Sequence, residues 1–439
     1  MRFVVPLTGS RGDAQPVFAI CRELRARGHD VVLVVAPEWL EMAEKLELSA
    51  KEMYPDIAVE LSSPEAKEAL ASGNALRILL TNIKLLRNTV GSALERVTEL
   101  AESPELASAD AIVTTSLTEE IGQAIAEAKG IPLVALHPYP NRVNSKFPSM
   151  FASKMRLPGW GNKLSWVLFN LFRHIAFNLL FVTKLRRRLG LKPAWFATIA
   201  QRVRRLGAVE VQIYEPELVP GIVEEWHGKP RPFTGYPKFD ESARVALGEW
   251  GGPVDEVVSW IGEGEATFFF GFGSTPMPTH TNASVVEAVS QVCQRLGVRA
   301  LVNFGHGDLP EVPTGLEASV RVVGPIAHDR VFPYCAGAVI GGGVGTTTEA
   351  LWAGLPTLIC GVSYDQPAWG VQVQKMGVGT AMRSVDITAD SLTEAIQVLR
   401  DPEVVRKAAE VGAVLRQKEA STARAAAAIE DAVLQAKAR

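Results

Sequence analysis

The residues best suited to chemistry in this chain sit in glycine-rich turns at the ends of apolar runs. The fullest is GGGVGTTTEALWAGLPTLI at 341–359. A strand predicted over 338–340 runs into Gly341, Gly342, Gly343, Val344 and Gly345, and a helix begins near Thr346. Glycines let the backbone approach a ligand closely, while the unpaired amides and the dipole at a helix start favour phosphate. Thr346 and Thr347 add hydroxyl donors. The same turn also serves simply to pack a helix on a sheet, so alone it is a weak signal. A second turn, GFGST at 271–275, follows a strand predicted over 267–270 and puts Ser274 at that strand's carboxyl end. Two such turns in one half fit a diphosphate better than one.

Two carboxylates follow strands in the same way. YDQPAW at 364–369 places Asp365 beside Gln366, adjacent polar groups that can grip sugar hydroxyls, with Trp369 as an apolar face. Asp365 is equally suited to capping a helix. GSRGD at 9–13 follows the first strand and lacks the G-x-G-x-x-G spacing of a dinucleotide site, which disfavours a redox cofactor. Asp13 stands where that strand opens into a helix, as a helix cap or as a general base facing a cleft.

The elements that must hold these residues repeat a strand–helix rhythm. Strands are predicted at 2–7, 31–35, 111–114 and 132–136, with helices at 15–27 and 119–129. A helix is also predicted over 76–100. Residues 141–200, rich in Trp, Phe, Leu and Arg, interrupt the rhythm and read as an insertion that shapes a cleft. The Pro- and Gly-rich stretch over 214–242 reads as a linker. The rhythm then restarts, with strands at 267–270, 300–303, 320–323, 338–340 and 357–360 and helices at 283–296 and 347–353. This is an α/β chain of two Rossmann-like, doubly wound halves: residues 1–215, a linker at 216–240, residues 241–415, and a last helix at 416–439 that crosses back onto the first half. Ligands of such sheets bind outside the carboxyl ends of the strands, so one cleft serves both halves.

Bulk properties exclude several classes. The chain has 439 residues, 47% of them apolar, enough for two cores, and a formal charge of −3 that argues against nucleic acid. Cys21, Cys293, Cys335 and Cys360 form no C-x-x-C pair. Free thiols in a reducing cytoplasm are expected, with neither a zinc site nor a disulfide framework. The amino terminus does not read as a signal peptide. The apolar stretch 165–182 holds Asn170, Arg173, His174 and Asn178 and is short for a membrane span, so a buried or pocket-lining helix is expected. Lys184, Arg186, Arg187 and Arg188 follow it and leave room for peripheral membrane contact.

Taken in order, GSRGDAQP, GFGS and GGxGTTxEALWAGLPTL…DQPAW resemble the GT-B glycosyltransferases related to the sterol glucosyltransferases and the vancomycin-type antibiotic glycosyltransferases. The ordered set spans nearly the whole chain. The resemblance implies an inverting, metal-independent transfer of a hexose from a nucleotide diphosphate sugar, UDP-glucose by default or a TDP-sugar, to a hydroxyl of a hydrophobic acceptor. No cofactor beyond that co-substrate is implied. Asp13 would deprotonate the acceptor. Ser274, Gly343, Val344, Gly345 and Thr346 would hold the diphosphate, and Glu349 the ribose. His328 would border the base, and Asp365 and Gln366 the sugar.

One departure stands out. The family reads H-H-G-G-A-G-T where this chain has Ile340 and Gly341, so an imidazole that helps bind the diphosphate is missing. Arg11, Thr347 and His328 are candidate substitutes, and Gly341→His is expected to tighten donor binding if the site is otherwise standard. The gap also admits a second reading, a catalytically impaired relative acting as a binding or helper protein. Acceptor walls are expected from 76–86, 137–142 and 150–182, a lipid, sterol or polyketide being a better fit than a free sugar. His137 joins Trp369 as a candidate acceptor contact, although a histidine at a strand end is more often structural.

Overall fold

The computed structural model describes residues 1–52, 94–177, 181–250, 252–272, 280–305, 309–418 and 420–438, with a few single positions between 53 and 93. Its strands form two parallel sheets. The first holds β1 (Arg2–Pro6), β2 (Asp30–Val35), β3 (Ser49–Glu52), β4 (Ala111–Thr115), β5 (Leu133–His137) and β6 (Val209–Gln212), ordered β3-β2-β1-β4-β5-β6. The second holds β7 (Thr267–Gly271), β8 (Arg299–Asn303), β9 (Val320–Val323), β10 (Gly337–Ile340), β11 (Thr357–Gly361) and β12 (Gly379–Arg383), ordered β12-β11-β10-β7-β8-β9. Read outward from the first strand of each half, the two orders are the same.

The inner strands are apolar on both faces because helices cover both faces of a parallel sheet. All five residues of β4, β5, β7 and β11 are buried. At the edge, β3 reads SAKE and is largely exposed. In each half the direction of winding reverses between the first and fourth strands, which opens a crevice at their carboxyl ends. The loop leading to Asp13 follows β1, and the glycine-rich turn follows β10. Both therefore lie at a switch point.

The predicted helix at 119–129 forms as read, Glu119–Lys129, closed by Gly130 in the left-handed conformation (φ 65°). The first helix begins earlier than its apolar spacing suggested, at Arg11, and runs to Ala26. Of the helix predicted over 76–100, residues 94–100 are helical, and most of the remainder lies outside the described residues. The stretch read as a linker carries a 3-10 turn (Pro216–Leu218), a short helix (Ile222–Glu225) and the buried Tyr236 and Phe239. The terminal helix Ser421–Lys437 packs on the first helix, where Arg27 Nη1 meets Glu430 Oε2 at 2.8 Å.

The halves are joined by aromatic packing and by charge. Phe147 and Tyr214 from the first half pack on Trp369 from the second, with ring centroids 5.0 and 6.3 Å apart. All four cysteines are buried and unpaired. No helix among the described residues is long and apolar enough to cross a membrane.

Candidate active site

The glycine-rich turn ends β10 and starts the helix Val344–Trp352, with Gly343 at its N-cap and no capping side chain among the described residues. The first amides of a helix have no carbonyl four residues back to bond. Here those of Gly343, Val344, Gly345 and Thr346 find no acceptor among the described residues. A Cβ built on Gly343 would meet nothing within 4 Å among the described residues. Gly342 holds φ at +87°, and a Cβ there would strike Ile359. Thr346 is half-buried, while Thr347 is buried with its hydroxyl unpartnered among the described residues. Ser274 lies outside the described residues.

Asp13 occupies the first turn of its helix because that helix starts at Arg11. Ser10 donates to its Oδ2 twice, from the backbone amide at 2.9 Å and from the hydroxyl at 3.0 Å. Gly9 (φ +121°) lies against the carboxylate, and a Cβ there would come within 2.6 Å of Oδ2. The capping role is therefore real, yet it uses one oxygen. Oδ1 has no partner among the described residues. Burial pushes the Asp13 pKa up and the Ser10 hydrogen bonds offset part of the rise.

Asp365 faces Asp13 from the other half. Burial pushes Asp365 up to about 6, a hydrogen bond from Trp369 Nε1 at 2.8 Å opposes the rise, and the negative charge of Asp13 adds to it. The two carboxylates thus sense each other across the cleft. The expected helix-cap role of Asp365 is not observed, since its side chain caps nothing. Gln366 Oε1 accepts from the amide of Val362 at 3.0 Å, which ties the loop after β11 to the next helix. Tyr139, Phe147, Met150 and Trp166 pack closely around the carboxylate and leave no space for a water between them.

Two expected acceptor contacts are corrected. Trp369 is only 1% exposed, because its ring fills the aromatic core between the halves and its indole N–H is spent on Asp365. His137 is fully buried at the end of β5, with Nε2 3.2 Å from Glu119 Oε1 and Nδ1 3.3 Å from Gln212 Nε2. Burial and then the charge of Arg142 hold its pKa down. Glu119, His137 and Glu210 are grouped closely enough to ligate a metal. However, Arg142 already binds both carboxylates, so its guanidinium stands where a cation would.

Glu349 sits on the first helical turns after the glycines but is 5% exposed, and both of its oxygens are engaged. Oε1 accepts from Arg244 Nη2 at 3.1 Å, and Oε2 lies 3.1 Å from His328 Nδ1. Burial pushes Glu349 up, but the His328 hydrogen bond and the Arg244 charge outweigh it and hold the carboxyl at about 2. His328 stacks on Phe332 with an interplanar angle of 4°. Arg244 also binds Glu249 and Asp329, each at 3.2 Å, and Glu249 in turn binds Arg11. A chain of charges therefore runs from the helix that carries Asp13 to the helix that carries the glycine turn.

That chain bears on the missing imidazole. Of its three candidate substitutes, Arg11 is held by Glu249 and Gln15, His328 by Glu349, and Thr347 lies below the surface. Sequence reading missed Tyr236, whose hydroxyl would lie 2.5 Å from a Cβ on Gly345, beside the first turn of the phosphate-facing helix. Burial, then the charges of Glu349 and Asp13, push its phenol up, so it remains a neutral donor. Its place in a Pro- and Gly-rich linker gave no signal of this.

The expectation for Gly341→His is overturned. A Cβ on Gly341 would lie 2.6 Å from the carbonyl oxygen of Phe272, a backbone atom that cannot swing aside. Gly341 N also donates to Gly271 O at 3.2 Å, so moving the turn would break the contact with β7. Gly341→His is expected to weaken nucleotide binding and lower the melting temperature. Calorimetric titration with UDP or TDP and a thermal melt measure both, and tighter binding would contradict the clash.

Comparison with known proteins agrees with this geometry. Residues 288–429 match the family model for the erythromycin biosynthesis protein CIII-like C-terminal domain. An uncharacterised glycosyltransferase of Mycobacterium tuberculosis is 35% identical, over 100% of both chains. A sterol 3-beta-glucosyltransferase of Arabidopsis thaliana is 25% identical over 95% of this chain and 66% of its own length. Among solved structures, the glycotransferase of kitacinnamycin superposes with a TM-score of 0.68 at 18% identity, covering 98% of this chain and 99% of the other. The glycosyltransferase VinC in complex with DTDP gives 0.62 at 16%, with the same coverages. With paired sheets, switch points in both halves and a full-length relative at this identity, the chain belongs to the glycosyltransferases and has the GT-B fold.

Proposed function

We propose that this enzyme moves a hexose, with inversion and without a metal, from a nucleoside diphosphate sugar to a hydroxyl of a hydrophobic acceptor. The observation that supports the reading is the set of amides at 343–346 with no acceptor among the described residues, in a half whose Asp365 feels the charge of Asp13 in the other half. Residues 1–215 hold the acceptor, 241–415 the donor, 216–240 connect them and 416–439 return to the first half. The DTDP in VinC supports a nucleoside diphosphate leaving group.

A hydroxyl is a poor nucleophile until a base takes its proton. Asp13 Oδ1 accepts that proton while the acceptor oxygen attacks the anomeric carbon from the face opposite the leaving group. The bond from that carbon to the diphosphate oxygen breaks, and its electron pair goes to the diphosphate. The growing charge falls on the amides of Gly343, Val344, Gly345 and Thr346, the Thr346 hydroxyl, Ser274 and the helix dipole. Asp365 and Gln366 hold the sugar hydroxyls. Glu349 acts through Arg244 and His328, which set the wall of the nucleotide pocket.

Thr346→Val removes one hydroxyl donor and keeps the shape. A hydrogen bond to a charged group contributes about 1.5–3 kcal/mol, so nucleotide affinity is expected to fall roughly tenfold to a hundredfold. Calorimetric titration of the full chain with UDP and TDP checks this, and unchanged affinity would remove Thr346 from the site. Thermal shifts with UDP, TDP and GDP sugars then select the base.

A further inference from the structure

The helix Gly159–Phe177 has two unlike faces. Inward, Trp166 is buried and packs beside Asp365. Outward, Trp160, Leu164, Val167, Leu168, Leu171 and Ile175 are each between 47% and 72% exposed. Their spacing follows the helical repeat, so they form one continuous apolar stripe over four turns. Isolated exposed leucines are ordinary, but a whole helix face of them signals an interaction site. Beyond the helix's carboxyl end the stripe meets Trp195 and Phe196, the latter 97% exposed; His174 bonds the Trp195 carbonyl at 2.8 Å and fixes this loop against the helix.

Charge identifies what covers the stripe. Between Glu127 and Glu210 the sequence contains no Asp or Glu, yet it contains 15 Lys and Arg in a chain whose net charge is −3. Several of these cations are consumed in buried pairs, including Arg142, Arg186 and Arg202. Lys184, Arg187, Arg188, Lys192, Arg204 and Arg205 are exposed and form no ion pair among the described residues. Lys192 and Arg205 share with Trp195 and Phe196 a surface groove of about 570 Å³. An apolar helix face bordered by free cations and aromatic rings suits a surface with a hydrocarbon interior and anionic headgroups. A nucleic acid would leave the stripe unused.

We propose that this face docks on an anionic lipid bilayer, with the helix lying in the interface and the basic residues on the headgroups. The same helix packs Trp166 beside Asp365, so docking brings this carboxylate close to the membrane surface, and the acceptor is an amphiphile drawn from the bilayer. That last clause rests on the transferase reading, whereas the docking does not.

Co-sedimentation of the full chain with vesicles tests the proposal. Binding is expected to vesicles containing phosphatidylglycerol, at least about tenfold tighter than to phosphatidylcholine alone, and to weaken as salt is raised. Two double variants are compared, Leu168→Glu with Leu171→Glu, and Arg187→Glu with Arg188→Glu. Each is expected to lose at least about tenfold in vesicle affinity while keeping the wild-type melting temperature and affinity for UDP or TDP. Absence of wild-type binding to either vesicle overturns the proposal, as does binding indifferent to both variants. So does a dimer, seen by light scattering, that the leucine variant converts to monomer, since a second copy would then cover the stripe. Vesicle binding by a chain that binds no nucleoside diphosphate would leave the docking standing and sink the transferase reading.

Discussion

Asp13→Asn is expected to lower transfer by roughly 10²- to 10⁴-fold, the usual worth of a positioned general base, while leaving donor affinity unchanged. Asparagine is the informative replacement because its amide oxygen still accepts from the Ser10 amide and hydroxyl, so the first turn keeps its cap. What it loses is the ability to take a proton. Alanine would remove the cap as well and mix a stability effect with the chemical one. The sign of the pH dependence follows from the raised pKa of Asp13. The base works only when ionised, so activity falls as pH drops through a value above that of an ordinary aspartate. Asp365, pushed up to about 6, changes charge over the same acid side, so the fall should not follow a single titration. Initial rates against pH, with donor affinity measured separately by calorimetry, check both points. Near-normal turnover in the asparagine variant would leave Asp13 as a cap only.

Arg244→Met is expected to destabilise the fold by about 3–5 kcal/mol, because it strands three carboxylates that this guanidinium holds, two of them deeply buried. Those are Glu249, Asp329 and Glu349. Methionine retains much of the packing volume, so the loss reports mainly the charge. The linked acid dependence has a definite direction. Glu349 is held at about 2 in the folded protein, below its unfolded value, so its contribution is complete above the unfolded pKa and is lost as pH falls toward 2. In the variant that acid-side loss should shrink. Urea midpoints of both proteins across this range measure it. A loss below about 1 kcal/mol would show that water satisfies these groups as well as Arg244 does.

The two-half architecture was legible because parallel strands buried on both faces must be apolar runs, and Gly and Pro punctuate them. FVV near the start, FFF at 268–270 and AVI at 338–340 are such runs. The strands that escaped were those whose composition contradicts the pattern. Ser49–Glu52 and Gly379–Arg383 lie at sheet edges, where one side needs no apolar partner, and Val209–Gln212 carries Glu210, whose charge is balanced by Arg142 and Arg231 from elsewhere in the chain. Local spacing holds no information about such partners.

The same division runs through the site. By themselves the residues settled that strand ends carry glycine turns and carboxylates, since backbone freedom and short-range order determine where helices begin and which amides stay unpaired. Which side chains face the cleft was decided only when distant segments met. Trp369 and His137 look available along the chain, but an aromatic core and an ion cluster enclose them. Glu349 becomes a strut because Arg244 arrives from 105 residues away, and Gly341 excludes a histidine because a carbonyl from β7's loop lies against it. Burial and charge compensation depend on neighbours in space, and only the folded chain supplies them.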